Sequence, residues 1–180
     1  LNVRFPVSNF SGESWWGGFF EGTYNSYQKF TIGNEKYLFA NIQSYDPWGI
    51  DMSTPGPINW INSVIQTHSD YKVILGTHDT WETTHVKENV LKKNANIVLS
   101  NAGHTCQREA HYTTTSPEGG ESNNFITDYQ CDANEVMLIR YYIFKPLEDK
   151  VDYFTYSPVS DAFEVDDSSQ GSFSLVQADP

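Results

Sequence analysis

The sequence predicts an α/β fold in which a parallel part is followed by an antiparallel meander. Residues 57–100 alternate helix-type and strand-type segments, the order that parallel strands with helical crossovers require. After residue 107, four strand-type runs follow one another with only turns between them, as in a meander. The length, 180 residues, fits one domain and is short for two.

The elements follow in chain order. Residues 12–24 are rich in glycine and aromatics (Trp15, Trp16, Gly17, Gly18, Phe19, Phe20) and read as a packed loop. The apolar runs 28–32 and 36–42 flank Gly33-Asn34, a hairpin signal. Residues 45–57 hold Pro47, Gly49, Pro55, Gly56 and Pro57 and read as loop, with Pro57 suited to a helix's first turn. Ile58, Ile61, Val64 and Ile65 recur at helical spacing, which predicts an amphipathic helix over 57–68. The compact apolar run 71–76 predicts a buried strand, 84–93 a second helix, and 97–99 another strand. The meander strands are 108–115, 124–130, 135–145 and 151–156; Pro117, Gly119 and Gly120 mark the first turn. Residues 161–180 read as an acidic tail, a solvated strand with a loose terminus, after a domain spanning 1–160.

Composition excludes some functions. The chain has 23 acidic and 11 basic side chains and a net charge of −12. Binding nucleic acid through its phosphates needs Lys and Arg, as does docking on an anionic bilayer, so neither partner is expected. Aromatics make up 15 % of the residues, enough large side chains to build a core. No stretch of about 18 apolar residues exists, so no transmembrane helix is expected. The start at Leu1 reads as a mature or excised chain. Two cysteines, the sequon Asn9-Phe10-Ser11 and few lysines point to a secreted, extracellular protein glycosylated at Asn9.

Chemistry is expected where strands end, because ligands of open α/β sheets gather at the carboxyl ends. Two strand ends carry histidine: Val73-Ile74-Leu75-Gly76-Thr77-His78 and Ile97-Val98-Leu99-Ser100-Asn101-Ala102-Gly103-His104. A glycine just before each lets the backbone turn sharply, and a neutral imidazole is a common metal ligand. His78 and His104 are therefore candidate ligands of one metal. Other groups have structural readings: Asp79 as a turn cap, His68 at a helix C-terminus, His85 on the surface, His111 within a strand, and Asp128 at a strand edge. The cluster Trp15, Trp16, Phe19 and Phe20 reads as core or as a carbohydrate or partner platform.

These segments, together with Asn25-Ser26-Tyr27, Tyr37–Pro47, Thr127–Gln130, Met137–Phe144 and Thr155–Pro158, resemble the calcineurin-like metallophosphoesterases, secreted members above all, over about residues 5–160. The resemblance implies a two-sheet α/β sandwich flanked by helices, with two divalent metal ions (zinc, iron or manganese) at the strand ends. It implies hydrolysis of phosphate esters by metal-activated water. His78 matches the family's lone ligand histidine, and His104 the first histidine of its Gly-His-x-His motif. The resemblance extends only to the family's C-terminal half; the Asp-x-His, Gly-Asp-x-x-Asp and Gly-Asn-His stretches have no counterpart here. A full site then needs an N-terminal half, in the same precursor or as a second chain. Catalytic residues are not assigned. Cys106 stands where the second histidine is expected. It is either a thiolate ligand or the partner of Cys131 in a disulfide, favoured in an oxidising compartment and stabilising by about 3–4 kcal/mol in the chain-entropy model. The alternative to a hydrolase is a non-catalytic extracellular structural or interaction protein that keeps the fold. A sheet cut in half would expose an edge and apolar surface, so an oligomer, not a clean monomer, is expected of the isolated chain.

Overall fold

The computed structural model describes residues 6–20, 23–42, 55–78, 84–103, 109–127 and 137–175. It is a mixed α/β structure in three layers: helices, a seven-stranded sheet, and a four-stranded sheet. After a 3-10 turn at Val7–Asn9, the chain forms β1 (Trp16–Phe19), β2 (Ser26–Ile32), β3 (Glu35–Ile42), α1 (Pro55–Thr67), β4 (Lys72–Thr77), α2 (Thr84–Asn89) and β5 (Ile97–Ala102). It continues through β6 (Glu109–Thr115), β7 (Glu121–Thr127), β8 (Ile139–Lys145), β9 (Lys150–Ser157), β10 (Ala162–Phe163) and β11 (Gln170–Ser174).

The first sheet runs β1-β2-β3-β4-β5-β7-β6. Its centre, β3-β4-β5-β7, is parallel, and antiparallel pairs close both sides. Among the described residues its edges are β1 and β6. The hairpin expected at Gly33-Asn34 is present: Ile32 pairs with Glu35, and Gly33 takes the positive φ of 62° that the tight turn requires.

Side-chain alternation divides the core. Leu38, Ala40, Ile42, Val73 and Leu75 face the helices and pack against Ile58, Ile61 and Ile65 of α1 and against Val86 of α2. Burying Ile61 and Ile65 fully contributes roughly 1.5–3 kcal/mol each. Pro57 lies in the first turn of α1, where its missing N–H costs no helical bond. On the other face Tyr37, Ile74, Leu99 and Phe125 meet Val151, Tyr153, Phe173 and Leu175 of the second sheet. No helix among the described residues is long and apolar enough to cross a membrane.

Four expectations need correction. The meander is two hairpins on two sheets: β6–β7 joins the first, with β7 parallel to β5, and β8–β9 builds the second. The cause is burial, since five consecutive residues of β7, Ser122–Ile126, are buried, and only an interior strand is covered on both faces. The segment 84–93 is a short α2 followed by a 3-10 turn at Leu91–Lys93. The aromatic loop at 12–24 contains the edge strand β1. The acidic stretch after 160 supplies β10 and β11, which pair with β9, and it buries Phe173 and Leu175.

Candidate functional site

Because β3, β4, β5 and β7 are parallel, their carboxyl ends lie along one rim of the sheet. A cleft of about 590 Å³ opens there. Asn41 and Ile42 end β3; Gly76, Thr77 and His78 end β4; Asn101, Ala102 and Gly103 end β5; Thr127 ends β7. Leu138, Arg140 and Tyr142, from β8 and the residue before it, form the opposing wall.

The strand ends are tied together by the chain itself. The Gly103 amide donates to the His78 carbonyl at 3.0 Å, extending the β4–β5 pairing beyond Gly76↔Asn101. His78 is exposed at the cleft. Gly76 allows a close approach: a Cβ there would sit 2.7 Å from Asn41 Oδ1. The glycine thus leaves room for the Asn41 amide against β4.

The second sheet supplies the polar wall. The Tyr142 hydroxyl donates to Asn101 Oδ1. Burial pushes the Tyr142 pKa well above the ordinary phenol, opposed by the Arg140 charge, so Tyr142 stays a protonated donor. Arg140 donates from Nε to Thr155 Oγ1 at 2.9 Å and from a terminal nitrogen to the Ser168 carbonyl at 2.7 Å. Its guanidinium lies over the rings of Phe125 (5.0 Å) and Tyr153 (5.6 Å), so it is a fixed cation in an acidic protein. The Thr77 hydroxyl is buried and has no hydrogen-bond partner among the described residues. Amide, hydroxyl and guanidinium groups in one concavity can hold an oxyanion.

The same residues do not by themselves fit a two-metal centre. Among the described residues no three His, Cys, Asp or Glu side chains come together. The cleft contributes one imidazole, His78, and neutral amides, whereas paired divalent cations demand anionic oxygen ligands. His104, Cys106 and Cys131 lie outside the described residues, as do Asp79 and Asp128. His104 is nonetheless the residue after Gly103, whose amide is bonded to His78.

The remaining candidates are dispersed. His68 Nδ1 donates to the Val64 carbonyl at 2.7 Å and caps the end of α1, with Tyr27 and Tyr71 beside it. His85 belongs to α2. His111 stacks on Phe125 (4.4 Å, 6°) and bonds Asn123 at 3.1 Å. Burial pushes its pKa down, the Asn123 bond acts the other way, and the Arg140 charge lowers it further. Asn9 is exposed in the first 3-10 turn. The aromatic cluster splits: Trp15 and Trp16 gather around Phe10 beside an apolar hollow of about 130 Å³, while Phe20 packs on Trp60.

Asn41, Thr77, Asn101, Arg140 and Tyr142 escaped the reading of the sequence. The strand-end rule points to the first three, since each stands within two residues of a parallel strand's carboxyl end. No local signal marks Arg140 and Tyr142, which reach the cleft from another sheet.

Comparisons add little to this geometry. No protein-family model matches the chain, and no curated protein matches it. Among solved structures, it is similar to a Staphylococcus aureus protein described as a 5'-nucleotidase, solved in complex with α-ketoglutarate, at 11 % identity and a TM-score of 0.36. That match covers 83 % of this chain and 29 % of that one, so the chain spans under a third of its length.

Proposed function

We propose that this chain is the C-terminal portion of a secreted phosphate-ester hydrolase, and that the strand-end cleft is its share of the active site. The observation that carries the reading is the Gly103-to-His78 bond, which draws the two histidine-bearing strand ends side by side on a cleft containing Arg140. A phosphate ester is an anion with several acceptor oxygens, and a guanidinium with hydroxyl and amide donors suits it. His78 and His104 are the ligands this chain would offer to two divalent ions. The carboxylates that such ions require would come from an N-terminal half, in the same precursor or as a second chain. The chain alone is not proposed to turn over substrate.

Calorimetry with inorganic phosphate and phosphomonoester assays with added zinc, iron or manganese test this. The chain alone is expected to bind phosphate without turnover. Joined to its N-terminal half it is expected to hydrolyse a generic ester and to lose that activity in His78→Ala. Absence of phosphate binding, or full activity in His78→Ala, would overturn the proposal. The second reading, an extracellular interaction protein, is favoured by the exposed Ile139, Tyr141, Ile143 and Phe163 on the outer face of the second sheet.

A further inference from the structure

That face is the outer side of the four-stranded sheet, opposite the cleft wall. Ile139, Tyr141 and Ile143 alternate outward along β8, and Phe154, Tyr156 and Phe163 continue the surface across β9 and β10. Register makes it contiguous: Ile139 pairs with Tyr156, Tyr141 with Phe154, and Phe163 with Tyr156. Tyr141 stacks on Phe154 (5.3 Å, 22°), and Phe163 meets Tyr156 at 5.4 Å. Ile139 and Phe163 are about half exposed, at 51 % and 52 %. Monomeric soluble proteins rarely leave so continuous an apolar patch bare unless something binds it.

Charge identifies what binds. Residues 151–175 contain no Lys or Arg and carry Asp152, Asp161, Glu164, Asp166 and Asp167. Asp161 stands at the patch edge, accepting from the Tyr156 hydroxyl at 2.5 Å. At the far end Lys145 and Lys150 both pair with Asp152. A second copy would bring one chain of net charge −12 against another, and an anionic bilayer would meet the same long-range repulsion.

We propose that this face docks an amphipathic polypeptide segment whose apolar stripe covers the aromatic rings and whose flanks carry Lys or Arg. Recognition is by apolar burial, and discrimination is by charge.

Two labelled helical peptides of about 18 residues test it, with one apolar stripe and either lysine or glutamate flanks. The 180-residue chain is expected to bind the lysine peptide about tenfold or more tighter than the glutamate peptide in fluorescence anisotropy, with affinity falling as salt rises. The double change Ile143→Ser with Phe163→Ser is expected to weaken binding about tenfold at unchanged circular dichroism. Asp161→Asn, which keeps an amino acid tolerant of the φ of 50° there, is expected to narrow the preference between peptides while leaving the fold intact. Equal binding of both peptides, or no loss in either variant, would overturn the proposal. So would self-association in sedimentation that the serine changes abolish, which assigns the face to a second copy. Binding of neutral phosphatidylcholine vesicles would assign it to lipid instead.

Discussion

Tyr142, on the second sheet, donates its phenolic proton to Asn101 Oδ1, at the end of a first-sheet strand, and so fixes the direction of the Asn101 amide. With its oxygen turned toward Tyr142, Asn101 presents its NH₂ as a donor. Tyr142→Phe is expected to cost about 1–2 kcal/mol in urea denaturation, the loss of one buried bond. The pH dependence has a definite sign. The folded phenol titrates above the unfolded one, so stability is intact below the ordinary phenol pKa and falls as pH rises past it. The parent is expected to lose stability above about pH 10, and Tyr142→Phe to lose it less steeply, by up to about 1.4 kcal/mol per pH unit. Equal slopes would show that the phenol is not held neutral by the fold.

His111 has the opposite sign. Its folded pKa lies below the unfolded value, chiefly through burial against Phe125, so the neutral ring is the stable form. The contribution is complete above about pH 6.5 and is lost as pH falls below it. His111→Phe keeps the stacking and removes the titration, at the expense of the bond to Asn123. The variant is expected to be about 1 kcal/mol less stable at pH 8, with the gap narrowing as pH is lowered toward 5. Denaturation midpoints at several pH values decide it, and a constant gap would remove the titration from the account.

Local features were legible in the sequence; long-range ones were not. Gly33-Asn34 and the spacing of Ile58, Ile61 and Ile65 specify a turn and a helix within a few residues of themselves. The position of His78 just past the end of β4 was legible because an apolar run and a glycine precede it. A strand was expected from 124, but its start at Glu121 was obscured, because the buried polar groups of Ser122, Asn123 and Asn124 look like surface until their partners are known. Ser100 Oγ donates to Asn124 Oδ1 at 2.6 Å, and Asn124 Nδ2 donates to Thr114 Oγ1 at 3.1 Å. Those partners are distant in sequence, and with them in place the group is satisfied. Arg140 and Tyr142 escaped for the same reason: their place in the cleft exists only once two sheets have packed.

The acidic C-terminal stretch offers a direct test of integration. Phe173 is buried between the sheets against Phe125 and Tyr153, and Leu175 is fully buried beside it. Sparse apolar residues among acids disguised a core strand. Phe173→Ala is expected to destabilise by about 3–5 kcal/mol and Leu175→Ala by about 2–5 kcal/mol, costs near a small domain's whole stability. A denaturation midpoint unmoved by either change would return the segment to the surface.

Gly17 packs without tolerance. A Cβ there would lie 2.1 Å from the Tyr27 ring, which is lodged against Trp60 and His68. Gly17→Ala is expected to cost about 1–3 kcal/mol through overpacking, read as a lowered melting temperature. Gly76→Ala crowds the end of the Asn41 side chain and meets the Phe39 ring at an ordinary 3.5 Å. It is expected to leave the melting temperature nearly unchanged while weakening phosphate binding in calorimetry.

Thr77 separates stability from function most cleanly. Its hydroxyl is buried at the cleft and has no partner among the described residues, an arrangement that costs about 1–3 kcal/mol of desolvation without return. Valine has the same shape without the hydroxyl. If the group served only the fold, Thr77→Val would be neutral or stabilising and nothing else would change. If it awaits an anion, the same substitution stabilises the empty protein and weakens the bound one, the trade expected of a binding group. The expected outcome is an unchanged or higher melting temperature together with a roughly tenfold loss of affinity for inorganic phosphate, about 1.4 kcal/mol. A stabilised variant that binds phosphate as well as the parent would remove Thr77 from the site.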